Sequence, residues 1–424
     1  MLEISNYGQV YDVCIVGAGP GGATCAYYLA CQGKKVLLIE KEAFPRDKIC
    51  GDAVCTRAIL HLQEMGVFQE ILAENKGHWA KNGGFVSPKG ISFIGNSAQH
   101  MPMPLVMAIK RVILDEKIAR AATRVGATLV ESSPVVKASF SETNKCWTII
   151  TCKTNHGTTS YQARVLVAAD GANSKLARSL GLVKTNPDGV CSRAYIKPGT
   201  STFTHDGVVF YPPVLLPGYC SIFREAGDEL SFCCYIIPGG RLKPTDLGKI
   251  HHQIITKDPY VSKALGSNAQ IGKMMGAPLR LGGIPKSYAN HLLIVGDAAG
   301  HIDPLTGEGI QFAMDAAKIA ADTLVEAFAI GDMSESFLKR YHSRWMKAFG
   351  WDFQWGTRFT EVYKRYPLLL DACAALTRRY GSEFLAEWGK VMTGTQPKSY
   401  FLQPQILLPL ALEVGQQLIR PNAA

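Results

Sequence analysis

A short run rich in apolar and β-branched residues, Tyr11-Asp12-Val13-Cys14-Ile15-Val16, stops abruptly at Gly17-Ala18-Gly19-Pro20-Gly21-Gly22. Such a run, bounded by glycine, predicts a buried parallel strand. The glycines then restrict what can follow. Gly17 permits a tight turn, Gly19 lets the backbone approach a pyrophosphate, and Gly22 lets the next helix pack close to the strand. Residues Ala23 to Gln32 place Ala26, Leu29 and Ala30 on one helical face and predict that helix. Pro20 and Gly21 fall at its start, where N–H groups and the positive end of the helix dipole are available to phosphates. Lys35 to Ile39 predicts a second strand, which ends in Glu40 and Lys41. A carboxylate at that point can accept hydrogen bonds from ribose hydroxyls and disfavours a 2′-phosphate. Lys41, next in line, joins the candidate cofactor contacts.

Two further glycine segments follow apolar runs. Arg164 to Ala169 predicts a strand returning to the same sheet, with Asp170-Gly171 at its carboxyl end. Ligands bind outside the carboxyl ends of such strands. His291 to Val295 predicts another, ending in Gly296-Asp297. There a carboxylate can accept hydrogen bonds from the ribityl hydroxyls of a flavin. Pro304, Gly307, Gly309 and Ile310 lead into a predicted helix through Met314, Ala317 and Ala321. Its positive end would face the pyrimidine side of an isoalloxazine and stabilise the negative charge of the reduced ring. Three such segments in this order imply FAD. No second GxGxxG follows. The reductant is therefore expected to be NAD(P)H bound transiently, or a protein electron donor.

The chain has 424 residues, enough for two domains or one core with an inserted layer. Its net charge is +10, but no basic run reaches five residues. Dispersed charge argues against nucleic-acid binding and leaves contact with a membrane surface open. The 12 cysteines form no CxxC and no His/Cys ligand spacing, so neither a disulfide framework nor a metal site is expected. The absence of a leader-like start and of an apolar run of ~20 residues suggests a cytoplasmic protein, with peripheral membrane contact open.

The predicted fold class is α/β: a Rossmann-like FAD-binding domain with an inserted antiparallel sheet and a helical C-terminal region. Residues 1–75, 105–189 and 286–335 are assigned to the FAD-binding domain, with a helix from Lys110 to Ala122. Residues 76–104 and 190–285 are assigned to a substrate-binding sheet over the flavin. Short β-rich runs between Pro/Gly turns, with long helical periodicity mostly absent, set that assignment. Residues 336–424 are expected to be helical.

These motifs resemble those of the geranylgeranyl reductase family, within the para-hydroxybenzoate-hydroxylase-type flavoproteins. The resemblance is carried by Gly17–Gly22, Phe44–Asp52, Arg111 with Asp115, Asp170-Gly171-Ala172, and Gly296 through Ile310. The tail from Tyr366-Pro367 to Thr393-Gly394 also fits. Gly309-Ile310-Gln311 stands where aromatic hydroxylases of the wider group usually show Gly-Met-Asn, which favours the reductase branch. The resemblance implies that Cys50, Gly51 and Asp52 line the flavin and substrate cavity and that Arg46 and Arg111 anchor the cofactor. Tyr219 and Phe223 would roof the cavity. Prenyl reductases usually carry Tyr-x-Trp-x-Phe-Pro there; this chain keeps Tyr219 and Phe223 but has Ser221 and Arg224.

The implied reaction is hydride transfer from reduced flavin to a carbon–carbon double bond of an apolar substrate, with water held near Cys50 and Asp52 supplying the proton. One alternative is a monooxygenase or halogenase acting on an aromatic substrate through a flavin hydroperoxide. Lys81 stands about where a halogenase keeps its catalytic lysine, although the Trp-x-Trp-x-Ile-Pro element of that class is missing. A second alternative is a non-enzymatic flavin-bearing carrier. The apolar segment Phe401 to Leu410 is read as core packing or the border of a lipid path.

Overall fold

The strand and turn signals resolve, in a computed structural model, into two eight-stranded sheets and a small three-stranded one among the described residues. The structure describes residues 9–96, 99, 103–153, 157–200, 203–237 and 242–419; the outer ends of the segments 1–75 and 336–424 lie outside these. In the first sheet the strands run Tyr288–Ala289, Leu292–Ile294, Gly157–Ala168, Val10–Val16, Val36–Ile39, Thr128–Val130. From Leu292–Ile294 onward all neighbours are parallel. Val13, Cys14 and Ile15 are flanked on both sides and fully buried, which explains why their run is continuously apolar.

The strand expected from Arg164 to Ala169 is the second half of one twelve-residue strand, Gly157–Ala168. Its first half pairs with an antiparallel hairpin, Val135–Ser141 and Cys146–Lys153, and its second half enters the parallel sheet. Helix Pro20–Cys31 carries the crossover between the first two strands, and helix Arg111–Arg124 leads to the edge strand Thr128–Val130. Helix Ile310–Ile330 packs on Pro20–Cys31, where a Cβ on Gly21 would meet Ala313 at 3.5 Å, and its alanines at 313, 316, 317, 320 and 321 are buried.

The second sheet follows the order Gln270–Ile271, Gly189–Lys197, Leu230–Ile236, Tyr219–Arg224, Gly207–Phe210, Asn82–Val86, Ser92–Asn96. It is antiparallel except where Gly207–Phe210 meets Asn82–Val86. Two helices, Leu247–Lys257 and Pro259–Leu265, lie within the stretch read as almost free of helix. The signal was present: Leu247, Ile250, Ile254 and Val261 recur at helical spacing, and all four are buried with Ile222 and Phe232 on the back of this sheet. The period-2 geometry of a strand then sends the alternate residues to the opposite face. Cys220, Ile222, Phe232 and Cys234 point to the helices, whereas Tyr219, Ser221, Phe223, Cys233 and Tyr235 line a cavity against the first sheet.

The C-terminal region is helical as expected: Glu335–Trp345, Trp351–Arg365, Leu368–Met392 and Pro404–Ile419. It is tied to the loop before Gly307 by Lys398, which is fully buried between the carboxylates of Asp303 and Asp352. Burial alone would lower the lysine pKa; the two carboxylates outweigh it and the net shift is upward. Replacing Lys398 by Met leaves both carboxylates in the pocket without their counter-ion. Removing one partner of a buried ion pair costs ~3–5 kcal/mol, so Lys398→Met should clearly lower the denaturant midpoint, read by far-UV circular dichroism.

Candidate functional site

The parallel order of the first sheet sets the carboxyl ends of Val10–Val16, Gly157–Ala168 and Leu292–Ile294 side by side. Backbone bonds lock this arrangement: Ala169 N–H donates to Val16 O at 2.8 Å, and Val295 N–H to Ala168 O at 2.9 Å. Gly17, Gly171 and Gly296 therefore meet, although about 280 residues separate the first from the last. Gly17 has φ +103°, and a Cβ there would stand 2.3 Å from Ala169 O. A Cβ on Gly22 would lie 1.9 Å from Gly17 O. Both glycines allow strand and helix to touch. Gly19 is different: it lines the cavity, and a Cβ there meets no protein atom within 4 Å. Its missing side chain leaves open space in front of a helix start that has no side-chain cap. That is the cradle an anionic pyrophosphate needs.

The cavity extends from this cradle to the second sheet, about 1520 Å³ counting its open mouth. Of the residues expected from sequence, Gly19, Pro20, Gly21, Gly22, Cys50, Gly51, Arg111, Gly171, Gly296, Asp297, Gly307, Gly309 and Ile310 line it. Tyr219 and Phe223 close it from the second sheet. The Tyr219 hydroxyl donates to Thr306 O, and the Tyr235 hydroxyl to Pro304 O at 3.2 Å. These two bonds fasten the roof to the loop before the long helix. Pro304 thus shapes the site through its carbonyl without facing the cavity.

Other expected residues stand behind the wall. Gly17 serves the turn itself. Glu40 is buried and already accepts from Ala18 N at 3.0 Å and Glu42 N at 3.2 Å, and pairs with Arg46 at 3.0 Å. Arg46 also pairs with Asp115 at 2.6 Å, and Asp115 takes a two-pronged bond from Arg111 at 2.7 and 2.8 Å. Arg46 thus reaches the cavity only through Asp115 and Arg111. Asp170 turns back to accept from Ser174 Oγ and from Leu176 N, starting the short helix Lys175–Ser179. Lys41 is exposed beside Glu42.

Asp52 does not face the cavity. It is fully buried with φ +60°, and accepts from the Tyr195 hydroxyl at 2.8 Å, with Arg193 at 3.6 Å. Burial lifts its pKa to about 6, against the pull of Arg193 and Tyr195. It holds the Cys50-Gly51 turn from behind. Lys81 is exposed and outside the cavity, with its backbone N–H on Asp206 at 3.0 Å. The structure brings together Cys50, Tyr219 and Phe223, and leaves Asp52 and Lys81 out.

Three wall residues were not singled out from sequence. Lys48, inside the Phe44–Asp52 segment, pairs with Asp297 at 2.7 Å. Burial would raise the Asp297 pKa, but Lys48, then Arg111, outweigh it, and the carboxyl stays below its ordinary value. Cys233 shares the cavity face of its strand with Tyr235, a position readable from strand alternation once Tyr219 was placed. Glu308 stands in the Gly307-Glu308-Gly309 string. Its Oε1 accepts from Gln311 N at 3.0 Å, in the first turn of the long helix, and its Oε2 lies 3.6 Å from Cys55 Sγ. Burial lifts its pKa to about 7, partly opposed by those bonds and aided by Asp303. Neighbouring His301 accepts from Gly296 N–H at 3.1 Å through Nδ1, and burial pushes its pKa down to about 3, so it is a neutral brace for the Gly296-Asp297 turn.

An open pyrophosphate cradle, a strand-end carboxylate and a second helix start on one cavity are what FAD requires, and they define an FAD-dependent oxidoreductase. Comparison with known proteins agrees. The family model of an FAD binding domain matches residues 10–206. The chain is 31% identical over 351 residues to digeranylgeranylglycerophospholipid reductase of Methanocaldococcus jannaschii, covering 81% of this chain and 84% of the relative. It is 53% identical over 420 residues to a Dictyostelium discoideum protein named conditioned medium factor receptor 1, covering 97% and 82%. Its fold matches a geranylgeranyl bacteriochlorophyll reductase-like protein from Thermoplasma acidophilum with TM-score 0.73, at 22% identity, over 97% of this chain and 98% of that one. The chain belongs to the geranylgeranyl reductase family.

Two substitutions test the cradle and the strand-end carboxylate. Gly19→Val fills the space before the helix start and should abolish FAD retention on gel filtration. Asp297→Ala removes a charged acceptor worth ~1.5–3 kcal/mol. The FAD dissociation constant, measured by flavin fluorescence on the reconstituted apoprotein, should rise about tenfold or more.

Proposed function

We propose that the protein saturates a carbon–carbon double bond in an apolar substrate, drawing electrons from NAD(P)H or a protein donor. The observation that carries this reading is an apolar cavity with Glu308, a carboxyl whose pKa burial raises, on its wall. Bound FAD would supply the two-electron chemistry, a hydride to one alkene carbon. The chain's own residues do the rest. Gly19 and the start of Pro20–Cys31 seat the pyrophosphate. Lys48 and Arg111 hold Asp297 ionised for the ribityl chain. Tyr219, Phe223 and Tyr235 exclude water and present apolar surface to the substrate.

The other alkene carbon needs a proton. Asp52, half of the sequence-based expectation, is turned away from the cavity. Glu308 faces it, and a carboxyl with a pKa of about 7 is protonated often enough at neutral pH to act as an acid. Cys50 is a neutral thiol there, since burial, against the opposing Arg111, pushes its pKa up to about 11. It shapes the slot beside the reacting atoms. The exposed position of Lys81 gives no support to halogenase chemistry. The methanogen relative is named for a lipid substrate, and an apolar substrate of that kind would bring this protein to a membrane surface. The Dictyostelium relative is named as a receptor, a statement about that protein; the wall acid favours catalysis here.

Two half-reactions separate the roles. In Glu308→Gln, reoxidation of the reduced enzyme by substrate should slow ~10²-fold or more, while reduction by the donor changes little. Because the protonated carboxyl is the active form, the wild-type rate should fall as pH rises through about 7, and that limb should vanish in the Gln variant. Equal loss of both half-reactions would reduce Glu308 to a structural part. Lys81→Ala should leave turnover unchanged. A long-lived oxygen adduct after anaerobic reduction and readmission of air, with substrate consumed, would replace the reductase reading by the monooxygenase one.

A further inference from the structure

Helix Pro404–Ile419 buries Ile406 and packs Leu410 against the core, yet it carries a second apolar face on its outside. A surface helix ordinarily buries its apolar stripe and shows its polar face to water. This one buries Glu413, 6% exposed and paired with Arg379 at 2.8 Å. Its outward side carries Leu407, Leu408, Leu412, Leu418 and Ile419, exposed by 45, 63, 68, 68 and 81%. Counting from Leu407, these fall at i, i+1, i+5, i+11 and i+12, one stripe of a 3.6-residue helix, with the small residues Ala411 and Gly415 between them. Large aliphatic side chains concentrated on one face mark a contact surface. The sequence reading of Phe401 to Leu410 as core or the border of a lipid path divides in the structure: Phe401 and Ile406 are buried in the core, whereas Leu402, Leu407 and Leu408 face outward.

The surroundings favour a lipid surface as the occupant. Residues 336–424 hold twelve Lys and Arg against six Asp and Glu, more than half of the chain's net +10. Arg378, Arg379 and Tyr380 are exposed on the adjoining helix. A shallow groove beside the stripe is walled by Arg379, Tyr380, Leu408, Leu412 and Gln416. Arginine and tyrosine at the margin of an aliphatic face suit the headgroup level of an anionic bilayer. No helix among the described residues is long and apolar enough to cross a membrane, so a helix lying in the interface is the geometry left for this stripe. The surface also connects with the cavity. Leu368–Met392, on which this helix packs, ends at Met392, and Met392 and Thr393 line the cavity.

We propose that the Leu407–Ile419 stripe beds into an anionic lipid surface, docking the protein with its cavity a helix away from the lipid. That an apolar substrate then crosses from lipid to cavity rests on the proposed function; the docking itself does not. The test uses the full-length flavoprotein and two vesicle types, phosphatidylcholine alone and phosphatidylcholine mixed with phosphatidylserine. Wild type should co-sediment with the mixed vesicles, less so as salt is raised. The double variant Leu408→Ser/Leu412→Ser should lose about tenfold or more of that partitioning with its bound flavin spectrum unchanged. In a separate Leu412→Trp variant, tryptophan emission should shift to the blue on the same vesicles. Failure of wild type to bind mixed vesicles, or undiminished binding by the double variant, overturns the proposal. So does a wild-type dimer in light scattering that the double variant dissolves, which would give the stripe to a second copy of this chain. Vesicle binding lost in the double variant upholds the docking even if no alkene is ever reduced, and in that case only the reductase reading falls.

Discussion

Everything in this molecule hangs on two side chains that are missing. Gly17 and Gly22 let the first strand, the first helix and the end of the Gly157–Ala168 strand come within contact distance of one another, and a methyl group on either would collide with backbone. That approach aligns three strand ends that chain order alone would scatter. It also aims the start of one helix at open space and brings the start of the long helix to the same cavity. The charge chemistry is downstream of this packing. Arg111, Asp115 and Arg46 form a buried chain of ion pairs behind the cradle, and Lys48 crosses to Asp297 only because the two segments already face each other. Buried ion pairs are costly unless well matched; here the backbone frame supplies the match.

The nucleotide-binding half was legible because its signals are local. A β-branched run, a glycine turn and a helical stripe each occupy a few consecutive residues, and the strands at Val10–Val16, Val36–Ile39 and Leu292–Ile294 fall close to where the residue pattern puts them. Two features escaped. The helices at Leu247–Lys257 and Pro259–Leu265 are short and sit among β-rich runs, so their stripe was outweighed by its neighbourhood. Strand Gly157–Ala168 runs back beyond the expected Arg164–Ala169 stretch, because its first half is half-exposed in a hairpin and only its second is buried in the parallel sheet.

The site was harder to read for a reason of direction. Sequence shows which residues share a segment but not which way a turn sends them. Cys50 and Asp52 are two residues apart, and a left-handed conformation at Asp52 sends its carboxylate to Tyr195 while Cys50 keeps to the cavity. Asp170 looked equivalent to Asp297 at a strand end, yet a serine four residues on captures it. Glu308 stands between two glycines, a setting whose pattern does not say which way its carboxyl points; only the folded cavity does.

The alternation along the roof strands has an evolutionary consequence. Cys220, Ile222, Phe232 and Cys234 answer to the helices behind the sheet, whereas Tyr219, Ser221, Phe223 and Cys233 answer to whatever enters the cavity. Adjacent positions in the chain therefore answer to separate physical constraints. A lineage can exchange the odd-numbered side chains of the Tyr219–Arg224 strand to take a new guest while the even-numbered ones keep the domain folded. One scaffold can in this way be retailored to many molecules without first being rebuilt.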